Sequence, residues 1–497
     1  MNVELLDGEV WWGGRVADGL RMPLSVGTSV DLAEHGDSQA SSLLVSSHGR
    51  VVRGTDAFSF AVEPDALVID GLATVETAGD TLRDAVRWCA EHVHHQPRSM
   101  PHVDMFSPQW ALWIELLYEP TQAATLAYAD AVLHHGYAPG VVMIDDNWSE
   151  DYGVWKFRSD RFPDPGAMVR QLHDAGFGVM LWTCPYVSPD GRNYLDLRDQ
   201  GLLIREPSGE PAIRRWWNGY SAVLDLTNPT AVDWYRSELD QLRSSFGIDG
   251  FKFDGGDVDV YRHDDLTHEA TTPADQVHRY GAFASTFHFN ELRSGWNLGG
   301  LGVATRISDA NHSWDEHGLG KLIGNQLAQG LLGMPFSAPD MIGGGQYLDF
   351  DEDRIDPEVF VRHAQIAAFS PMMQFSAAPW RLLDDEHAAA VRAAAAVRIE
   401  HQDLFVDLAQ ASLRTGDPII RPLEYEFPHR GLHTVTDAFM VGPDLLVAPV
   451  VEQGATTRTI VLPPGTWQTP EGQQLDGDSE IEIAVNLTTI PRFHRVS

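Results

Sequence analysis

The chain has 497 residues, 43% of them hydrophobic, which is ample for a large core and more than one folding unit. Its 71 acidic against 35 basic residues give a formal charge of −36, which argues against nucleic acid and anionic membrane surfaces as partners. Two cysteines, Cys89 and Cys184, cannot build a disulfide framework or a metal site of several cysteines.

The opening stretch "MNVELLDGEVWWGG" lacks the basic and apolar regions of a signal peptide, and no apolar run approaches the ~18 residues that a membrane span needs. A soluble cytoplasmic protein is the expectation. Residues 1–98 alternate apolar and polar positions between Gly, Asp and Pro, as in "SLLVSSHGRVVRGTDAFSFAVEPDALVIDGL", and read as an N-terminal β-sandwich-like domain. A helix, "TLRDAVRWCAEHVHH", closes it.

From residue 109 short apolar runs ending in polar residues alternate with amphipathic helical segments. The runs are "QWALWIEL", "GVVMIDD", "GVMLWTCP", "AVLDLTN", "GFKFDGGD", "FNELRSGW", "VATRISD", "GMPFSAPD" and "PMMQFS". Strand–helix–strand repetition with buried parallel strands predicts a (β/α)8 barrel, placed over residues 99–404. Nine runs compete for eight places, and "AVLDLTN", bracketed by Trp, Gly and Pro, is the one set aside. "DDEHAAAVRAAAAVRIEHQDLF" reads as the last barrel helix, and residues 405–497 as a C-terminal β domain with Gly-Pro and Pro-Pro-Gly turns.

In such barrels chemistry sits at the C-terminal strand ends. There the sequence offers Asp145, Asp146, Asp254, Asp257, Asp309 and Asp340, with Arg293, Arg306, Trp148, Trp182 and Trp380 among them. Carboxylates crowded in one pocket bind a metal, share protons or stabilise a cation. Clustered histidines are missing from the strand ends, and "DGGDVDVYRHDD" lacks the spacing of a calcium loop, so no metal and no cofactor is expected. A carboxylate pair for glycoside hydrolysis fits better: one acid attacks the anomeric carbon or activates water, and the other protonates the leaving oxygen. Lys252 shares a strand face with Asp254. Strand alternation would send Asp145 and Asp146 to opposite sides, and Trp148 and Trp182 suit pocket wall and core equally.

At these residues the chain resembles glycoside hydrolase family 31, retaining α-glycosidases built on a barrel flanked by β domains. "GFKFDGGD" resembles the family's nucleophile strand, "ELRSGW" its Arg-Ser-Gly strand, and "RISDANHSWDEHGLGKLIGNQLAQGLLGMPFSAPDMIGGG" its acid/base region. The order of these phrases spans residues 109–470 and makes "AVLDLTN" an excursion after the third strand. The resemblance implies Asp254 as nucleophile and Asp309 as general acid/base. It implies that Arg293 and Arg306 hold hydroxyls or orient the acids, that Asp145 or Asp146 binds the non-reducing sugar, and that Asp340 faces the same pocket. Gly255-Gly256-Asp257 replaces the Met-Asn-Glu of family α-glucosidases, and "QFSAAPW" lacks their last-strand His. "PDMIGG" and "MMQFSAAPW" resemble an α-galactosidase branch, so an exo-acting α-galactosidase is favoured over an α-glucosidase or α-xylosidase. The implied partner is a small oligosaccharide or glycoside. A homo-oligomer stays open, as do two remoter readings, a metal-dependent sugar isomerase and a catalytically inactive sugar-binding barrel.

Overall fold

A computed structural model describes residues 1–350 and 355–496. The N-terminal region forms two antiparallel sheets. One holds Asn2–Glu4, Ala66–Asp70, Ser59–Val62 and Ser29–Asp31, in that spatial order. The other is centred on Gln39–Ser46, a strand buried along its whole length. Its neighbours are Arg50–Gly54 and Trp11–Arg15, and a barrel segment, Gly295–Trp296, joins it in parallel at Gln39 and Ala40. The expected helix is Leu82–His92, started by a capping box between Thr81 and Asp84.

Eight parallel strands close the barrel: β1 (Gln109–Ala111), β2 (Val141–Ile144), β3 (Gly178–Thr183), β4 (Gly250–Phe253), β5 (Phe289–Leu292), β6 (Thr305–Arg306), β7 and β8 (Gln374–Phe375). Strand β7 comes in two pieces. Ser337–Ala338 pairs with β6 and Met341–Ile342 pairs with β8. Between them Asp340 takes φ = +64°, a left-handed conformation costing a non-glycine residue roughly 1–3 kcal/mol. Strand β8 pairs in turn with β1, which completes the ring. The run "AVLDLTN" is indeed outside it: Gly219–Val223 forms an antiparallel sheet with Ile213–Trp216 and Tyr186–Val187, between β3 and β4.

The intervening helices follow their local sequence signals. Four begin with a capping side chain and then proline: Asp164-Pro165, Asn228-Pro229, Thr272-Pro273 and Asp356-Pro357. The side-chain oxygen satisfies an orphan amide, and proline occupies a position whose N–H has no helical partner. Past the barrel, the expected last helix divides at His401 into Asp385–Glu400 and Gln402–Thr415. The anticipated 404/405 boundary therefore falls inside a helix, and the first C-terminal strand starts at Ile420. That region forms a six-stranded and a two-stranded sheet around its own core, with Trp467 fully buried in it.

Gln39 ties the N-terminal sheet to the barrel. Its side-chain amide donates to the backbone carbonyls of Arg293 and, at 2.7 Å, Arg306, and its Oε1 accepts from Gln329 at 2.8 Å. Replacing Gln39 by Ala removes a partner from two buried carbonyls and from Gln329, which keeps its 3.3 Å bond to the Thr305 carbonyl. We expect a loss of roughly 2–4 kcal/mol of unfolding free energy, measured by urea denaturation.

Candidate active site

A cavity of about 430 Å³ opens at the C-terminal ends of the barrel strands. Asp145, Asp146, Lys252, Trp182 and Met341 are at most 4% exposed and form its closed end. Its mouth is marked by Asp37, whose side chain is 57% exposed, and by the exposed Trp217 and Leu348. Six carboxylates and three cations line it.

Asp254 follows β4 directly, and its carboxylate is held on both oxygens. Oδ1 accepts from Arg293 Nε at 2.8 Å and from the Gly255 amide at 2.9 Å, while Oδ2 accepts from Trp182 Nε1 at 3.1 Å. Burial alone would raise its proton affinity. Arg293, Arg306, Lys252 and the Trp182 hydrogen bond outweigh that and hold the carboxyl far below the usual range. The two glycines that follow serve packing. Gly255 and Gly256 have φ = +65° and +68°, and a Cβ on them would lie 2.6 Å from the Tyr186 ring and 2.8 Å from the Tyr280 ring. The turn returns the chain so that Asp257 also lines the cavity. Asp257 pairs with Arg293 at 3.1 Å, and burial, reinforced by Asp37 and Asp254, outweighs Arg293 and raises its carboxyl to about 6.

Asp309 stands on the loop after β6, and its Oδ1 accepts from Arg306 Nη1 at 2.6 Å. Burial would raise its carboxyl, but Arg306 and Arg293 hold it below the ordinary value. The loop after β7 crosses so closely that a Cβ on Gly345 would lie 2.7 Å from the Asp309 carboxyl carbon. Arg306 lines the cavity while its guanidinium is almost fully buried. Its Nε donates to Glu291 at 3.1 Å and its Nη1 to both Asp309 and Asp340.

Both Asp145 and Asp146 line the cavity, contrary to the alternation argument. Strand β2 ends at Ile144, and Asn147 turns the chain at φ = +66°, so the two acids do not follow strand geometry. Asp145 forms an ion pair with Lys252 Nζ at 2.7 Å. Asp146 accepts from Tyr152 at 3.0 Å and Asn218 at 2.6 Å, and burial with the neighbouring Asp145 raises its carboxyl to about 7.

Three expected pocket residues lie elsewhere. Trp148 is fully buried, donates to the Trp182 carbonyl at 2.8 Å and packs on Phe157, so it is core. Trp380 stacks on His135 and neighbours Trp110 and Tyr128, outside the cavity lining. Asp340 is completely buried and reaches Arg306 and the Ala310 amide without lining the cavity.

Other wall residues carried no reading from the sequence. Asp37 comes from the N-terminal region and meets Arg293, its carbonyl accepting from Nη1 at 2.6 Å. Trp217 and Asn218 occupy the tip of the hairpin after β3, where Trp217 lies 5.3 Å from the Arg293 guanidinium. A signal for the tip was present in "RRWWNGY", where Asn218 and Gly219 break an aromatic run. Trp113 and Tyr347 pack edge-to-face across the wall at 5.2 Å. Among the described residues, no group of three His, Cys, Asp or Glu side chains is placed to hold a metal ion, and no helix is long and apolar enough to cross a membrane.

The sequence matches the family description "Glycosyl hydrolases family 31 TIM-barrel domain" over residues 105–407 and "Glycosyl hydrolase family 31 C-terminal domain" over residues 416–496. The chain belongs to glycosyl hydrolase family 31. The myogenesis-regulating glycosidase of Mus musculus is 34% identical over 80% of this chain and 57% of its own length. The sulfoquinovosidase of Escherichia coli K12 is 24% identical over 69% of this chain and 53% of its own. The chain thus spans roughly half the length of the curated relatives it matches. Among solved structures, a family 31 α-xylosidase from a soil metagenome, complexed with xylose, superposes with TM-score 0.87 at 20% identity, covering all of this chain and 79% of that one. A cycloalternan-degrading enzyme from Trueperella pyogenes, in complex with cycloalternan, also gives 0.87, at 22% identity, covering 100% and 77%. At these identities the structures speak to the fold.

The raised carboxyl of Asp146 has a consequence for stability. A carboxyl that ionises near 7 when folded, against ~4 when unfolded, binds its proton more tightly in the native state, so its contribution to stability falls as pH rises from about 4 to 7. Asp146→Asn removes that decline. We expect the variant to gain thermal stability over the parent at pH 8 and to gain little at pH 4, measured by melting across the pH range.

Proposed function

We propose that the protein is a retaining, exo-acting α-glycosidase that acts on α-galactosides. The observation that carries this reading is the pairing, in one cavity closed at one end, of an acid fixed in its ionised form after β4 and a second acid on the loop after β6. Asp254 is the nucleophile: Arg293 and Trp182 orient its carboxylate and keep it charged. It attacks the anomeric carbon and forms a covalent glycosyl-enzyme. Asp309 protonates the leaving oxygen and then takes a proton from water. Its side chain is 27% exposed in the free site, and a bound sugar covers it, which raises its proton affinity for the first step. Ester formation at Asp254 then removes the negative charge that favoured the protonated form of Asp309, which prepares Asp309 to act as the base.

The closed end supports galactose. Lys252 and Asp145 stand 2.7 Å apart and offer a donor and an acceptor side by side. In galactose the axial 4-hydroxyl and the 6-hydroxymethyl lie on the same face of the ring, where such a pair engages both. Strand β8, the place of the His of family α-glucosidases, contributes nothing to the cavity wall. Six lining carboxylates against three cations disfavour a sulfonated or other anionic sugar.

A panel of aryl α-glycosides tests the substrate. We expect galactoside turnover at least tenfold above that on the glucoside, xyloside, N-acetylgalactosaminide and sulfonated glucoside. Turnover of the glucoside alone overturns the sugar assignment. Proton NMR should show the α-anomer released first, and initial release of the β-anomer overturns retention. Asp254→Ala should lose about 10⁴-fold or more in kcat.

A further inference from the structure

Asp340 is the least exposed carboxylate of the cluster and touches no part of the cavity, yet its position is costly to maintain. Its backbone is left-handed at the break in β7. Its Oδ2 accepts from the Ala310 amide at 2.6 Å, one residue beyond Asp309. Its Oδ1 accepts from Arg306 Nη1 at 2.7 Å, and the same nitrogen lies 2.6 Å from Asp309 Oδ1. One donor group is therefore divided between the acid of the proposed reaction and a buried carboxylate behind it. The other edge of Arg306 is occupied by Glu291, itself held by Gln374.

We propose that Asp340 is a positioning residue that competes with Asp309 for Arg306 and thereby allows Asp309 to carry the proton it gives to the leaving group. An undivided Arg306–Asp309 ion pair would lock Asp309 ionised and make it a poor acid. Asp340 takes up the guanidinium when Asp309 is protonated, and its second hydrogen bond fixes the loop on which Asp309 stands. The charged groups facing Asp309 are Arg306 from β6, Arg293 after β5, Asp254 after β4, Asp340 in β7, and Lys321, whose ammonium donates to the Asp309 carbonyl at 2.8 Å. Of these, Asp340 and Asp254 are the two that favour the protonated form. Asp309 in turn raises the carboxyl of Asp340, and the coupling is reciprocal.

This inference rests on Asp309 being the acid, and leaving-group dependence separates the two. The test compares kcat/KM for a nitrophenyl α-galactoside, whose leaving group needs no proton, with that for an alkyl or disaccharide α-galactoside, whose leaving group does. Asp340→Asn is close in size and suits the left-handed backbone. We expect it to lose at least tenfold on the alkyl or disaccharide substrate at pH 7, with less than threefold loss on the nitrophenyl one. The alkaline limb of its pH profile should move toward acid by about one pH unit. Equal losses on both substrates with an unmoved limb overturn the proposal and leave Asp340 a structural residue. If Asp340→Asn does not fold, Glu291→Gln decides: it relieves the same guanidinium, should move the limb in the same direction, and an unmoved limb overturns the proposal. Asp309→Asn is the control. Without leaving-group dependence there, the acid assignment itself fails, whereas dependence there with none at Asp340 removes only this inference.

Discussion

Two buried guanidinium groups hold this site together. Arg293 meets Asp254, Asp257 and Asp37, and Arg306 meets Asp309, Asp340 and Glu291. Burying an ionised carboxylate costs several kcal/mol unless it is paired and hydrogen-bonded, so Asp254 and Asp309 depend on their arginines to stay ionised. The planar fork of arginine suits this task, because its separate N–H edges serve several acids at once, as a lysine ammonium could not with the same fixed geometry. Both arginines are themselves held almost without freedom: their side chains are 6% and 2% exposed, and their backbone carbonyls are clamped by Gln39. The electrostatics of the barrel floor therefore depend on a residue of the N-terminal sheet.

The division of charge is uneven, and that unevenness is what the chemistry can use. Asp254 receives donors on both oxygens and stays ionised, as the proposed nucleophile must. Asp309 receives one side-chain donor, and it is shared. Asp146 and Asp257, buried beside other acids, ionise near 7 and 6. One pocket thus holds carboxyl groups spread across several pH units, the condition under which acid and base roles separate.

Much of the barrel was legible because its signals are local. Proline after a capping residue starts a helix wherever it occurs in a chain, and an apolar run ending in an acid marks a buried parallel strand. The excursion "AVLDLTN" was separable by its Trp, Gly and Pro surroundings, and the acids at the ends of β2, β4 and β6 do line one cavity. The misplaced residues share a cause. Trp148, Trp380 and Asp340 sit at strand ends by sequence, but which side of the barrel wall a side chain takes depends on how the loop leaves the strand. For Asp340 the loop leaves through a left-handed residue inside β7, which no alternation rule anticipates. Asp37 was invisible for a different reason. It enters the site through docking of a separate sheet, a long-range contact with no periodic trace in "EHGD".

The glycines after Asp254 are set by packing and by the turn they make. In the structure their space is already filled by the rings of Tyr186 and Tyr280, and their positive φ angles turn the chain. That turn places Asp257 beside Arg293, and the second acid withdraws part of the guanidinium from Asp254. A side chain at either position of this chain would meet one of the two tyrosine rings at less than 3 Å. The Gly-Gly-Asp phrase therefore adds a second carboxylate to Arg293, the counter-ion of Asp254, and leaves no open space beside the two glycines.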